Sequence, residues 1–487
     1  MVFTSFAFCA FIILLFVIYY TIPRIKGGIQ WLVLLSFSLF FYMYNSPRYA
    51  IFLCASILTT WISARYIQKK AVFPLCIIFN LGILCFVKYA PLFAGLNGRS
   101  LDWLIIPLGI SFYTFQSMGY LIDVKRGLTE PEKNLLKYAL FVSFFPQISQ
   151  GPIGRCESLM PQLISDHSFD YDRFVRGLER MLLGFFKKIL IANNLARIVD
   201  DAYGNYDMYS GKIMILATLM YAFQLYADFS GYMDIAVGTG ECLGITLSEN
   251  FRTPYFSKNI SEYWRRWHIT LGAWFKDYLY YPLLRTRVIT DMNRALRKSS
   301  HKKAARSITT SIGLLITWLC IGMWHGASLN FIAHGLFHGL FLIMAIVLSD
   351  LYISCRNKLH IHDDSRIFNI FRMLRTFTIV NIGYVLFRSD SMGMALGIYK
   401  RIFGHFNDDG LIVFLHSFDR AFWIITLTAM AVCFLIDMIE AKSKWLDMLH
   451  RLPVVLRWSV LYIMSFFTLI YAFDQPASAQ AFLYFDF

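Results

Sequence analysis

Apolar runs recur along the whole chain, with polar or basic breaks between them. Runs near 3–22, 30–44, 50–67, 71–88, 103–122, 212–227, 307–325, 329–349, 373–389, 421–438 and 458–474 each read as a spanning helix. Such a helix needs about 20 apolar residues to cross the hydrocarbon core. Runs near 135–147, 178–194, 229–246 and 262–284 are shorter or more polar. They read as re-entrant, interfacial or bundle-buried segments, since membrane depth tolerates irregular backbone only where protein or a water-filled cavity satisfies it. The pattern predicts an all-α polytopic membrane protein with about 11 or more transmembrane helices. No repeat or linker divides it, so 1–487 is expected to be one integral-membrane domain. The stretch Met1–Ile22 lacks a basic start and a small-residue cleavage site. It reads as a retained first helix and not as a signal peptide.

The breaks orient the chain. The longest basic one, 285–306, carries Arg285, Arg287, Arg294, Arg297, Lys298, Lys302, Lys303 and Arg306 against Asp291 alone. By the positive-inside bias it is placed in the cytoplasm. Counting helices in both directions, the basic segments 356–376 and 439–457, Arg24/Lys26, Arg65/Lys69/Lys70 and Lys125/Arg126 fall on the same side. Both termini are then expected outside, and the orientation of 135–260 is left open.

Composition agrees with this picture and narrows it. The chain is 57% apolar and 16% charged, against about a quarter charged in soluble domains, which excludes a string of soluble domains. The net charge of +15 lies in short runs between apolar blocks, so nucleic acid is not expected as a partner. Nine cysteines form no CxxC pair and no paired framework, which supports neither a zinc knuckle nor a disulfide scaffold.

In such a chain the polar residues that a bilayer would reject are the informative ones. The first group is Tyr226-Ala-Asp-Phe-Ser-Gly-Tyr-Met-Asp234. Asp228, Asp234 and Gly231 suggest a broken helix. Asp234 reads as structural, and Asp228 reads equally as structural or functional. The neighbouring Gly238–Gly244 stretch lacks the spacing of a nucleotide fingerprint.

The second group is Ser261–Leu271, extended to Tyr281. On one helix, Trp264, His268, Leu271, Phe275 and Tyr278 would form a single stripe, and Glu262 could pair with Arg266. A histidine on that aromatic side is by default a satisfied core residue. The third group gives it another reading. His325 lies between Gly322 and Gly326, and Asn330, His334 and His338 repeat every four residues on the following helix. A neutral imidazole can accept and return a proton near neutral pH. No carboxylate or thiol stands at a spacing that would complete a metal site, so no metal is expected. Gly326-Ala-Ser-Leu-Asn330 is not a nucleophile elbow.

These stretches resemble one family. Tyr226-Ala-Asp-Phe-Ser-Gly-Tyr232, Glu249-Asn-Phe-Arg-Thr-Pro-Tyr255, Tyr263-Trp-Arg-Arg-Trp-His-Ile-Thr-Leu271, Asp277-Tyr-Leu-Tyr280 and Met323-Trp-His-Gly-Ala-Ser328 are similar to the membrane-bound O-acyltransferases (MBOAT), in their bacterial alginate O-acetyltransferase branch. So are Met1–Ser5, Pro107–Phe115, Gly151-Pro-Ile153 and Phe482–Phe487. The likeness spans nearly the whole chain, and the ordered Arg-Trp-His and Trp-His-Gly pair is its most specific part.

The resemblance implies a ring of helices around a thinned centre. It places His325 on the family's catalytic histidine and His268 on its second polar position. The expected reaction is O-acyl transfer, with acetyl the expected group, from a cytoplasmic thioester to an extracytoplasmic hydroxyl. The donor would be acetyl-CoA or a carrier-protein thioester, with no cofactor permanently bound. Trp264, Trp267, Asp228, Trp324, Asn330 and His338 are the expected substrate-binding residues. The acceptor would be a polysaccharide hydroxyl or a serine of an extracytoplasmic partner protein. Two rival readings are D-alanyl transfer to teichoic acid and a non-enzymatic glycan or lipid transporter in the bacterial cell membrane.

Overall fold

The computed structural model describes residues 1, 3–21, 28–45, 47–96, 101, 104, 106–299, 304–362, 365–406, 410–474 and 482. Arg24, Lys26, Lys302, Lys303 and the closing residues 483–487 lie outside the described residues. Within the described residues the chain is helical, and its one β-type pairing is an isolated antiparallel bridge between Phe251 and Trp267.

Seven described helices are long and apolar enough to cross a membrane: Val72–Gly95, Gly211–Cys242, Ala305–His325, Leu329–Val347, Arg366–Arg388, Arg420–Glu440 and Val454–Phe473. The apolar runs at the start also fold as helices. Phe6–Thr21, Gln30–Asn45, Ala50–Arg65 and Ile110–Lys125 each have 16 residues. At about 1.5 Å per residue such a helix covers about 24 Å, less than the roughly 30 Å of a hydrocarbon core. Two compact units emerge from the packing. One holds 1–194, 224–250 and 425–487; the other holds 195–223 and 251–424.

In the first unit the helix Tyr171–Phe186 runs into a π-helical segment, Lys187–Ala192, and packs against the 224–242 part of Gly211–Cys242. Glycines make the approach possible. A Cβ on Gly184 would come within 2.5 Å of the Gly231 carbonyl oxygen, and one on Gly177 within 2.6 Å of that of Gly238. Both helices repeat glycine every seven residues, which places each pair on one face. Close backbones bring short acids to long cations. Lys188 donates to Asp228 at 2.7 Å and Lys187 to Asp234 at 2.7 Å. Arg180 reaches Asp234 at 3.3 Å, Glu241 at 3.5 Å and Glu249 at 2.5 Å.

This corrects the broken helix expected around Asp228, Gly231 and Asp234. Gly211–Cys242 continues unbroken through all three. The acids are neutralised by cations from another helix, so the backbone has no need to open, and Gly231 serves helix–helix contact.

In the second unit Ala305–His325 and Leu329–Val347 form a tight antiparallel pair. Gly335 lies against the Trp318 carbonyl, and a Cβ on Gly339 would meet the Trp318 side chain at 2.8 Å. The Arg366–Arg388 helix flanks them, its end tied by Asn330, which donates to the carbonyls of Leu386 at 3.1 Å and Ser389 at 2.5 Å.

Candidate active site

The segment expected as one amphipathic helix is two helices and a π-helical turn. Ile260–Arg266 ends at Trp267, His268 takes a left-handed backbone (φ 46°, ψ 53°), and Ile269–Phe275 then runs into Lys276–Tyr280. The single stripe of Trp264, His268, Leu271, Phe275 and Tyr278 therefore does not form. The break is imposed from outside the segment. The Phe251–Trp267 bridge pins the chain, with the Arg252 amide donating to the Arg266 carbonyl at 3.0 Å. Arg266 donates in turn to the Thr253 hydroxyl at 3.1 Å, and Glu262 holds the same guanidinium at 2.7 Å. The expected Glu262–Arg266 pair is thus present.

A non-glycine residue in the left-handed region costs roughly 1–3 kcal/mol and persists only where its surroundings over-determine it. Here they do. The turn leaves His268 buried, and burial pushes its imidazole down to about 3. It is a neutral ring at physiological pH.

His325 is the last residue of its spanning helix, followed by Gly326 in an extended conformation. Both are held by the turn into Leu329–Val347. The Trp324 ring neighbours both histidines, with its centroid 6.2 Å from His268 and 4.8 Å from His325. Phe387 closes another side of His325 at 5.1 Å.

From His325 a polar row extends along the next helix. The His334 ring is 6.5 Å from His325 and 4.7 Å from His338. Trp264 meets His338 edge-on at 4.9 Å and Trp318 at 4.7 Å. Asn330, His334 and His338 are all buried. The indole nitrogen of Trp264, Oδ1 of Asn330, Nε2 of His334 and both ring nitrogens of His338 have no hydrogen-bond partner among the described residues. Buried polar groups seldom stay unpaired, and several together mark a place built for a polar ligand or water.

The second unit therefore gathers Trp264, Trp267, His268, Trp324, His325, Asn330 and His338. Trp267 stacks on Tyr263 at 5.7 Å and meets Phe251 edge-on at 5.0 Å. Asp228 belongs to the first unit, where its carboxylate accepts from Lys188. His334, Trp318 and the hydroxyl pair Tyr263–Tyr384 (2.7 Å) were not among the expected site residues. The four-residue repeat through Asn330 and His338 already carried His334; Tyr384 comes from a distant helix and left no local sign. Among the described residues no group of three or more His, Cys, Asp or Glu side chains is gathered to hold a metal ion.

Comparison with known sequences places this geometry. The family model described as MBOAT, membrane-bound O-acyltransferase, matches residues 132–387, a stretch that contains every histidine and tryptophan of the site. The chain belongs to the membrane-bound O-acyltransferase family. Among its relatives is a protein named probable alginate O-acetylase AlgI of Pseudomonas fluorescens, 36% identical over 310 residues, covering 64% of this chain and 57% of that protein. A peptidoglycan O-acetyltransferase of Helicobacter pylori is 33% identical over 415 residues, covering 77% and 73%. A teichoic acid D-alanyltransferase of Bacillus subtilis is 30% identical over 247 residues, covering 49% and 58%. This MBOAT chain spans little more than half the length of the alginate relatives it matches (57% and 54%).

Proposed function

We propose that this MBOAT chain moves an acyl group, acetyl in the first instance, from a thioester donor to the hydroxyl of an extracytoplasmic polysaccharide or partner protein. One observation carries the reading: two buried histidines share one tryptophan, and one of them ends a spanning helix. His325 takes the proton from the acceptor hydroxyl as its oxygen attacks the thioester carbonyl. The carbon–sulfur bond breaks, and the proton passes to the departing thiolate, so that ester and free thiol balance the reaction. Positioned general-base catalysis of this kind is commonly worth about 10²–10⁴-fold. His268, kept neutral, orients the donor carbonyl, and Trp264, Trp324, Asn330 and His338 line the remainder.

The donor is read as acetyl-CoA or an acylated carrier protein reaching the site from the cytoplasm. The acetyl reading is preferred to D-alanyl because the relatives at 36% and 33% identity bear O-acetyl names, and the D-alanyl relative stands at 30%. The purified chain supplied with labelled acetyl-CoA, and separately with a charged carrier protein, identifies the donor. His325→Ala should abolish transfer while its melting temperature stays at the wild-type value. Undiminished transfer in a folded His325→Ala protein would sink the mechanism. A transporter would move the acceptor without adding mass to it, so mass spectrometry of the acceptor tests that rival directly.

A further inference from the structure

The helix Arg287–Lys298 has two unlike sides. At 100° per residue, Val288, Ile289, Met292, Ala295 and Leu296 share one arc, and Arg287, Arg294, Arg297 and Lys298 share another. With Arg285, the segment 285–298 sets five cations against Asp291 alone. All five cations are exposed. The apolar arc is only partly used by the protein: Ile289 is buried and Met292 and Leu296 half-buried, but Val288 is 77% exposed and Ala295 is exposed. This exposed apolar edge faces the cationic arc at Lys298 and Arg287, with the exposed Asp291 at the junction between them.

The setting of this helix follows from its two ends. Just before it, Tyr280 and Leu284 lie against Gly313, where a Cβ would meet Leu284 at 2.8 Å and Tyr280 at 3.2 Å. Just after it, the chain enters the spanning helix Ala305–His325, whose first turn carries the exposed Arg306. Gly313 is eight residues into that helix, about 12 Å along its axis. The amphipathic helix is therefore bracketed by contacts with the N-terminal part of a membrane-spanning helix, a position from which an amphipathic helix can lie in the membrane interface. Arg294 is partnered by Asp291 at 3.0 Å and Arg297 by Asn293 at 3.2 Å. Among the described residues no ion pair engages Arg287 or Lys298.

We propose that Arg287–Lys298 is a binding face for anionic phospholipid. Val288 and Ala295 enter the edge of the acyl region, and Arg287 and Lys298, with Arg294 and Arg297 beside them, take the headgroup phosphates. An interfacial helix gains from both terms at once: apolar area at the acyl boundary and attraction to anionic lipid. A purely protein-binding basic face would not require the apolar edge to stand open beside the cations.

The test uses the purified full chain in nanodiscs of mixed phosphatidylcholine and phosphatidylglycerol. Native mass spectrometry then counts the lipids that stay bound after release. Wild-type protein should retain phosphatidylglycerol in preference to phosphatidylcholine, and added salt should weaken the preference. Arg287→Gln with Lys298→Gln should lower it at least about fivefold, and adding Arg294→Gln and Arg297→Gln should lower it at least about tenfold. Val288→Asp leaves every cation in place on an exposed position, so it keeps the fold and should still lower the preference. Wild-type retention in both the fourfold variant and Val288→Asp overturns the proposal. So does a fourfold variant that keeps its lipid and loses binding of an acidic carrier protein or acetyl-CoA, since the face would then be a donor dock.

Discussion

Lys188 donates to Asp228 across 2.7 Å, with side-chain exposures of 3% and 1%. Asp228 was expected to line a substrate site, and here its carboxylate neutralises a buried cation. Removing one partner leaves the other charge buried, which commonly costs about 3–5 kcal/mol, whereas replacing both with apolar residues of similar size is often close to neutral. Asp228→Ala should therefore unfold far more readily in detergent, and Lys188→Met with Asp228→Leu should recover most of the loss. An Asp228→Ala protein as stable as wild type would return that residue to the substrate-binding set.

Helix contact through glycine makes a second expectation. A Cβ at position 184 would stand 2.5 Å from the Gly231 carbonyl oxygen. Overpacking of this sort costs typically about 1–3 kcal/mol. Gly184→Ala should lower the melting temperature and weaken the neighbouring Lys187–Asp234 and Lys188–Asp228 pairs. Because Gly184 and Gly231 share one contact, Gly184→Ala with Gly231→Ala should lose less than the sum of the single losses. Strict additivity would show that the two backbones do not meet.

The left-handed backbone at His268 predicts an order among substitutions. Asparagine visits that region more readily than other side chains, and β-branched residues resist it. His268→Asn should keep stability, and His268→Val should lose roughly 1–3 kcal/mol. Thermal unfolding of the two variants checks this, and equal melting temperatures would argue against the strained turn.

Acid should also act through His268. Its folded value of about 3 lies below the ordinary 6.5 because of burial. Between those values the unfolded chain holds a proton that the folded chain does not. Stability is thus unaffected above pH 6.5 and falls as pH drops below it, by at most about 1.4 kcal/mol per unit. His268→Asn should flatten that part of the stability–pH curve; an unchanged slope would show that the ring takes up its proton in place.

Asn330 was also expected to bind substrate. Its amide nitrogen donates to the carbonyls of Leu386 and Ser389 at the end of Arg366–Arg388, so only its Oδ1 is left to meet a ligand. Leaving buried acceptors unsatisfied costs about 1–3 kcal/mol each, so Asn330→Ala should destabilise measurably. Asn330→Asp should be worse, since a carboxylate would face two carbonyl oxygens. If either variant melts with the wild type and only activity is lost, the amide is a ligand group and not a helix tie.

Much of this protein was legible in its linear pattern. Hydrophobic runs set where helices form, because a hydrocarbon solvent tolerates little else. Short spacings set the Glu262–Arg266 pair and the shared face of Asn330, His334 and His338, because residues four apart meet on any helix. Tertiary structure decided the rest. Gly211–Cys242 stays whole because its acids meet Lys187, Lys188 and Arg180, cations some forty to sixty residues away in sequence. His268 leaves the helix because Phe251 and Thr253 hold the chain at Trp267 and Arg266. Trp324 links the two histidines because the Ile260–Phe275 segment and the spanning helix that ends at His325 pack together. In each case the deciding partner is remote along the chain, and local periodicity carries no record of it.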